Sequence, residues 1–383
     1  LRSGQRGVYI IGREFFKLAA TDSPDGRRKA RWSYKEVNRV LDVAIADEVH
    51  FASNRDSEAF KVLRTIHPRR LKMGLSATPG GNKFQGLWAV CRWLWPTAIN
   101  PDTETPYVDK SKWRWAATWA TVEFDPFAGK KITDEKVPGA FVNSLPCYIR
   151  EVRELTPYIK YRVPVELTPV QRAQIEAMEE KSMVWLNEHP LVADLPIVQK
   201  VRLRQMALGE VTFIPSANPD SEEEEVGFAL DCNSSKIDAC LKIIEREKDN
   251  KIVFWSDSAK FIRVLAQRIP DAACWTGSES ARTRAGLKAE FMDPSSSLRH
   301  LCVCIPAAAE GLDGWQTVCH TEVWLNRSFN TLMNTQAQGR LNRRGQTAES
   351  VTQYFLEAND TADTEYFERD ARTALTRRME LRS

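Results

Sequence analysis

Apolar positions along the chain fall into short runs separated by amphipathic stretches. Residues 8–11 and 41–46 are apolar runs flanked by polar segments, and 72–75 gives a third. Their length and setting predict strands buried in a parallel sheet. Over 84–95 the residues Phe84, Leu87, Trp88, Cys91, Leu94 and Trp95 recur at three- and four-residue steps and stop at Pro96. That spacing predicts one helix face. Residues 100–138, with Pro101, Pro106, Pro126 and Pro138, read as an irregular insertion carrying short helices. Thr168 and Pro169 supply a cap and a first-turn proline for a helix to about residue 187, and a second helix is expected over 197–208. Residues 215–225, ending in four glutamates, read as a solvated loop. Beyond it, helices over 235–247, 259–268 and 332–341 alternate with strands over 251–255, 301–305, 322–325 and 350–356. A helix rich in both charge signs is expected over 364–382. The alternation predicts an α/β protein with parallel sheets covered on both faces.

Composition narrows the class. A chain of 383 residues suggests two or three domains. With 43% hydrophobic and 27% charged residues, wholesale disorder is excluded. The net charge of +3 excludes a histone-like polybasic protein but permits a local basic groove. Residues 1–40 hold ten Lys/Arg against four Asp/Glu, with Arg27, Arg28, Lys29, Arg31 and Trp32 clustered. They suit either a solvated loop or a track for a phosphate backbone. Eight cysteines without a C-x-x-C pair argue against a disulfide scaffold or zinc ribbon and fit a reducing compartment. His300, Cys302 and Cys304 alternate on a strand and read as core, because zinc would require further ligands at finger-like spacing. No apolar run approaches the roughly 18 residues that span a bilayer, so a soluble, intracellular protein without membrane partners is expected. The chain opens on Leu1 rather than Met and reads as the remainder of something longer.

Candidate chemistry begins where the run 41–46 meets Asp47, Glu48, Val49 and His50. Two carboxylates at the carboxyl end of a parallel strand stand where open α/β sheets bind ligands. In a nucleotide hydrolase, one carboxylate there holds Mg²⁺ and the other polarises the attacking water. Asp47 suits the first role and Glu48 the second; a plain helix cap is the alternative. Ser76-Ala77-Thr78-Pro79 follows the third apolar run, and its hydroxyls could hydrogen-bond the carboxylates. Downstream, Gln336 to Gln346 is read as helical, so Arg340 and Arg343, three apart, share a face. Two guanidinium groups there can clamp a γ-phosphate; a surface or RNA-binding arginine cluster is the alternative. Gly311, in Ala308-Ala309-Glu310-Gly311-Leu312-Asp313, lets backbone approach a phosphate.

The order Asp-Glu-x-His, Ser-Ala-Thr-Pro, Gly-Leu-Asp, Gln-x-x-Gly-Arg-x-x-Arg resembles motifs II, III, V and VI of the superfamily-two helicases. Further segments are similar to the Swi/Snf-related DNA translocases. They are Ser76-Ala77-Thr78-Pro79-Gly80-Gly81-Asn82 with Leu87-Trp88 and Leu94-Trp95-Pro96, Val165-Glu166-Leu167-Thr168-Pro169-Val170-Gln171, Ser234-Ser235-Lys236-Ile237 and Arg343-Arg344-Gly345-Gln346. The resemblance covers nearly the whole chain. It implies two RecA-like lobes of the P-loop NTPase type, ATP and Mg²⁺ in the cleft between them, and duplex DNA of little sequence preference across both. Asp47 then holds the metal, and Glu48, Arg340 and Arg343 are catalytic. His50, Ser76, Thr78 and Gln336 couple the site to motion. Gly311, Asp313, Arg340 and Arg343 bind nucleotide, and Arg13, Ser256 and Lys260 touch nucleic acid. The implied divisions are a first lobe over 1–162, a linker and helical protrusion over 163–232, a second lobe over 233–360 and a brace-like helix over 361–383.

The departures are specific. The family's Gly-x-x-x-x-Gly-Lys-Ser/Thr loop is missing: Gly4, Gly7 and Gly12 precede the Asp-Glu strand without a following Lys-Ser/Thr pair. The backbone cradle and lysine for the β- and γ-phosphates are therefore lacking, and the first lobe is expected to be N-terminally truncated. A separate or upstream segment carrying that loop is the implied partner. Asn342 stands where the family usually has histidine, and Asp313 where this branch often has asparagine. The expectation is the C-terminal portion of an ATP-driven DNA translocase or helicase. The alternative is a nucleic-acid-binding module without ATPase activity. An RNA helicase of the DEAD-box type is disfavoured by the Leu-Trp helix and the Arg-x-Gly-Gln ending. A compact translocase of this kind suits the cytoplasm of a bacterial or phage-infected cell better than a nucleus.

Overall fold

A computed structural model describes residues 7–12, 20–22, 28–30, 38, 40–81, 83–126, 129–149, 155–186, 189–215, 224–308 and 313–364. The chain divides at residues 151 and 152 into two compact units. Each is built from its own elements.

In the first unit, β1 (Ala20–Asp22) and β2 (Arg28–Ala30) form an antiparallel pair. β3 (Val43–Ala46) and β4 (Leu71–Gly74) form a parallel pair in the register Val43↔Leu71 and Ile45↔Met73. Between them lie a 3₁₀ turn, Val49–Ala52, and the short helix α1 (Glu58–Leu63). Helix α2 (Gln85–Leu94) follows β4 and packs Val90 and Trp93 against Ala46 and Val49. Helix α3 (Lys112–Trp119) leads into the hairpin β5 (Ala120–Asp125) and β6 (Gly129–Glu135), followed by the short α4 (Ala140–Asn143). Trp115 stacks here on Phe84, and Phe141 meets both rings edge-on. The insertion expected to hold only short helices is thus partly a hairpin, because Thr121, Val122 and Phe124 favour extended backbone.

Two expectations of burial fail in this unit. Val8 and Ile10 are 93% and 95% exposed and lie in no strand. The run 8–11 has the composition of a strand but no ladder partner among the described residues. Val43, Ile45, Leu71 and Met73, paired across β3 and β4, form an exposed apolar row, with Ile45 at 60%. Period-two alternation puts Ala44 and Ala46 on the covered face and these larger side chains on the other.

The second unit opens with β7 (Tyr158–Val165), an edge strand of its sheet. The capping box of Thr168 and Gln171 then starts α5 (Pro169–Lys181). That helix stops six residues before the expected 187, at Ser182 in left-handed backbone (φ 52°), and gives way to the hairpin β8 (Met183–Leu186) and β9 (His189–Val192). Helix α6 (Pro196–Leu208) precedes a second hairpin, β10 (Thr212–Pro215) and β11 (Glu224–Gly227), whose strands flank the stretch expected to be loop alone. Then come α7 (Ser235–Arg246), β12 (Ile252–Ser256), α8 (Ala259–Arg268), β13 (Ala272–Trp275), α9 (Ala281–Met292) and β14 (His300–Cys304). One helical turn, α10 (Ile305–Ala308), is followed by β15 (Thr321–Trp324), α11 (Thr331–Gln338) and β16 (Val351–Ala358).

Six parallel strands lie in the order β13-β14-β12-β15-β16-β7. Chain order reverses around β12, so the carboxyl ends of β12, β14 and β15 form the switch point where open α/β sheets bind ligands. Along β12, Ile252 and Phe254 face a core shared with α7 and α8, while Val253 and Trp255 face one built around Trp275, Trp315 and Trp324. Cys302 and Cys304 are buried, in keeping with the core reading of that strand. The α/β class and the parallel sheet flanked by helices are as expected. The boundaries differ: β7 crosses the division expected at residue 162, and residues 163–232 are expected as a linker and helical protrusion. Both belong to the second unit, because β7 pairs with β16 and Met178, Met206 and Leu208 share the core of Ile237 and Phe254. The C-terminal helix expected over 361–383 lies outside the described residues after 364.

Candidate nucleotide and nucleic-acid site

In the first unit the carboxyl ends of β3 and β4 gather the residues that the sequence singled out. Leu75 N–H donates to the Ala46 carbonyl and Val49 N–H to the Leu75 carbonyl (both 2.9 Å), which holds the two strand exits together. Asp47 leaves β3 exposed, one carboxylate oxygen accepting the Glu48 N–H at 3.0 Å. Glu48 sits in left-handed backbone (φ 50°, ψ 47°) at the head of the 3₁₀ turn. A non-glycine residue pays for that conformation, and such strain clusters at functional sites. The twist brings a Glu48 carboxylate oxygen within 3.1 Å of His50 Nδ1. The same nitrogen lies 3.1 Å from Ser76 Oγ, which accepts the Thr78 N–H at 3.1 Å. Asp47, Glu48, His50, Ser76 and Thr78 therefore form one bonded chain across two strand ends. Behind it, a Cβ on Gly86 would lie 2.1 Å from the Gly80 carbonyl, so only glycine lets α2 start this close to the Ser-Ala-Thr-Pro turn.

In the second unit the arginine geometry differs from the sequence expectation. Helix α11 ends at Gln338 with Gly339 as its cap, so Gln336 is helical while Arg340 and Arg343 lie beyond its end. They share no helical face. The cause is local and tertiary together: Gly339 and Gly345 (φ 93°) favour turns, and buried Asn342 donates its amide N–H to the Thr156 carbonyl at 2.6 Å. Arg343 Nη1 instead lies 3.3 Å from the Asp313 carboxylate. Burial raises the Asp313 pKa, but the Gln316 hydrogen bond, Arg343, the Gly314 N–H and Lys288 together hold it below its usual value.

The nucleic-acid contacts are corrected more sharply. Ser256 is fully buried, its hydroxyl donating to Asn326 Oδ1 at 2.9 Å, so no hydroxyl reaches the surface for a phosphate. Lys260 donates to the Val226 carbonyl at 2.6 Å and pairs with Glu225 at 2.9 Å, which engages its ammonium within the fold. Arg13 and Gly311 lie outside the described residues.

At the switch point, sequence reasoning missed a buried polar network. Arg204 of α6 pairs with Asp257 at 2.5 Å, donates to the Arg327 carbonyl and lies 4.1 Å over Phe329. Asn326 donates to Asp257 at 2.6 Å. Burial pushes the Asp257 carboxyl up, while Arg204 and Asn326 pull it back. The available signal was Arg204 beside buried Met206, Ala207 and Leu208 on α6; a cation on an apolar face needs a partner. Lys236 gives the same signal beside Ile237 and Cys240, and it pairs with Asp363.

Hard carboxylate oxygen at Asp47 suits Mg²⁺, which keeps several waters and is held by one or two carboxylates and substrate phosphates. No group of three or more His, Cys, Asp or Glu that could hold a metal ion lies among the described residues. No helix among them is long and apolar enough to cross a membrane.

No family model matches the chain. It is 23% identical over 352 residues to the chromatin structure-remodeling complex subunit snf21 of Schizosaccharomyces pombe, covering 84% of this chain. The chain spans 28% of that relative's length. Solved structures with a likeness include the C-terminal part of the Fun30 ATPase domain (14% identity, TM-score 0.42, 56% of this chain and 90% of that one). Another is the Sulfolobus solfataricus SWI2/SNF2 ATPase core in complex with dsDNA (18% identity, TM-score 0.40, 87% of this chain and 67% of that one). The expectation of a bacterial or phage source gains no support, since the sequence relative comes from a fission yeast. The motif series in family order and the sequence similarity over 84% of the chain make it similar to the Snf2-related, helicase-like proteins of superfamily two.

Proposed function

We propose that this chain is the C-terminal portion of an ATP-dependent duplex-DNA translocase of the Snf2-related type. The observation that carries the reading is the bonded chain of Asp47, Glu48, His50, Ser76 and Thr78 at the exits of β3 and β4. Its parts lie up to thirty-one positions apart, yet they converge where the chemistry requires two carboxylates and a relay. Asp47 would hold Mg²⁺ through its exposed carboxylate, where the ion would supply charge neutralisation for the nucleotide phosphates. Glu48 accepts a hydrogen bond from the attacking water, and its strained backbone fixes where that carboxylate points. His50 ties Glu48 to Ser76, and Ser76 to the Thr78 backbone, so a change at the carboxylate is felt at the turn before α2. Gln336, Arg340 and Arg343, with Gly311 and Asp313 ahead of them in the motif series, bind nucleotide phosphate. DNA is held through its backbone by basic residues such as Arg13.

The phosphate loop comes from a separate or upstream segment. The bare row of Val43, Ile45, Leu71 and Met73 supports this, because parallel sheets are normally covered on both faces. The lack of any Gly-Lys-Ser/Thr sequence favours the second reading, a nucleic-acid-binding module without ATPase activity of its own. Two measurements separate the readings. The chain should bind two unrelated duplexes equally, with log affinity falling linearly against log salt. It should hydrolyse ATP poorly by itself, and turnover that Glu48→Gln abolishes should appear when the phosphate-loop segment is supplied. DNA binding without such turnover leaves the binding module; no salt-sensitive DNA binding rejects both.

A further inference from the structure

Beyond the nucleotide role given to Asp313, its surroundings form a bracket whose contents are unusual. One carboxylate oxygen accepts the Gly314 N–H at 3.0 Å and the Gln316 amide at 3.2 Å, and lies 3.3 Å from Arg343 Nη1. Gln316 is only 6% exposed, its amide N–H also reaches the Arg344 carbonyl at 3.2 Å, and its Oε1 accepts the Gly314 N–H at 2.9 Å. One buried amide thus ties the loop after β14 to the backbone that carries Arg343. The tie depends on two turns. Gly314 (φ 106°) would drive a Cβ to 2.9 Å from Met292, and Gly345 (φ 93°) would bring one to 3.6 Å from the Gln316 amide. The charge of Lys288 on α9 adds a smaller pull on Asp313 toward its ionised form. A carboxylate held by an arginine and pinned by an amide has the chemistry of a phosphate oxygen.

We propose that Asp313, fixed by Gln316, is a positioning residue that occupies Arg343 until an oligophosphate displaces it. Arg343 is held aimed at the place where anionic oxygen belongs, and the cost of releasing Asp313 sets how readily phosphate is taken. With asparagine, the residue this branch often carries, the amide would still accept from Gly314 and Gln316 but would give up the ionic hold on Arg343. The inference deepens the proposed function and rests on its assignment of Arg343 to phosphate.

The test uses the whole chain with sodium tripolyphosphate as probe and the Arg343 Nε–Hε resonance as readout, assigned by its loss in Arg343→Lys. Exposed ion pairs of this kind contribute modestly, since the side chains of Arg343 and Asp313 are 37% and 68% exposed. Asp313→Asn should therefore lower the half-saturating tripolyphosphate concentration about two- to fivefold. Asp313→Glu should restore part of the wild-type value, and Gln316→Leu should shift it in the direction of Asp313→Asn. Equal half-saturation in wild type and Asp313→Asn overturns the proposal, as does an Arg343 resonance that ignores tripolyphosphate in both. Failure of the translocase reading appears elsewhere, as lost DNA binding or lost turnover with the phosphate-loop segment, while the dependence of Arg343 on Asp313 persists.

Discussion

Glu322 lies in β15, between Val253 of β12 and Gln353 of β16, with no exposed surface. Its carboxylate accepts the Trp255 Nε1–H at 2.8 Å and an N–H of Gln353. Burial dominates over these bonds and pushes its pKa from 4.5 up to about 7. The folded state therefore keeps a proton that the unfolded chain releases near pH 4.5. Between that pH and about 7, rising pH draws the proton from the unfolded state first, so stability falls; above about 7 the loss levels off. At about 1.4 kcal/mol per pH unit between the two pKa values, the charged form costs the second unit about 3 kcal/mol.

Glu322→Gln removes that charge. Its oxygen can still accept from Trp255, and Gln353, whose Oε1 has no partner, can turn its amide to accept the new N–H. The variant should match wild type near pH 5 and exceed it by about 2–3 kcal/mol at pH 8. Urea unfolding at pH 5, 6, 7 and 8, read by pulsed hydrogen exchange of the β15 peptide, isolates the second unit. A stability difference that stays constant from pH 5 to 8 would refute titration of Glu322 in the fold.

Three further outcomes follow from packing. Lys236→Met strands the buried Asp363 carboxylate, which also accepts the Ala358 N–H, and should destabilise the second unit by about 3–5 kcal/mol; adding Asp363→Asn should recover part of it, and equal losses in single and double variants would argue against the pair. Gly86→Ala forces a Cβ against the Gly80 carbonyl and should lower the first unit's thermal midpoint by several degrees, whereas Gly286→Ala on α9, with open space around its Cβ, should not lower the second unit's. Thr168→Ala removes the reciprocal cap of α5 and should cost about 1 kcal/mol in urea unfolding.

Much of the second unit was legible because its signals are local. The helix over 259–268 agrees with α8 at both ends, since Ser258 caps it and Phe261, Ile262 and Leu265 mark one face. The chemistry of Asp47, Glu48, His50, Ser76 and Thr78 was legible as residue types in order. Their hydrogen bonding was not, because it depends on β3 and β4 lying side by side across a span of 24 residues. The same limit misled the reading of Arg340 and Arg343. Continuous helix is a fair inference from Gln336 to Leu341, but the bond from Asn342 to Thr156, 186 residues away in sequence, competes with it.

Periodicity, caps and turn residues are properties of neighbours, and the sequence by itself determined them: an α/β chain, its strand and helix alternation, and the ordered motifs. Which face of a strand is covered, which cation meets which carboxylate and whether a hydroxyl reaches solvent belong to partners far along the chain. Ser256 shows the difference. Its place after an apolar strand marks it as a loop residue at a ligand-binding edge, yet Asn326, 70 positions on, buries its hydroxyl. Asp313 shows it again: the motif series assigns it to nucleotide, and only the fold surrounds it with Gln316 and Arg343. Only the tertiary structure decides such cases, because a buried polar group is stable solely where another segment supplies its bond.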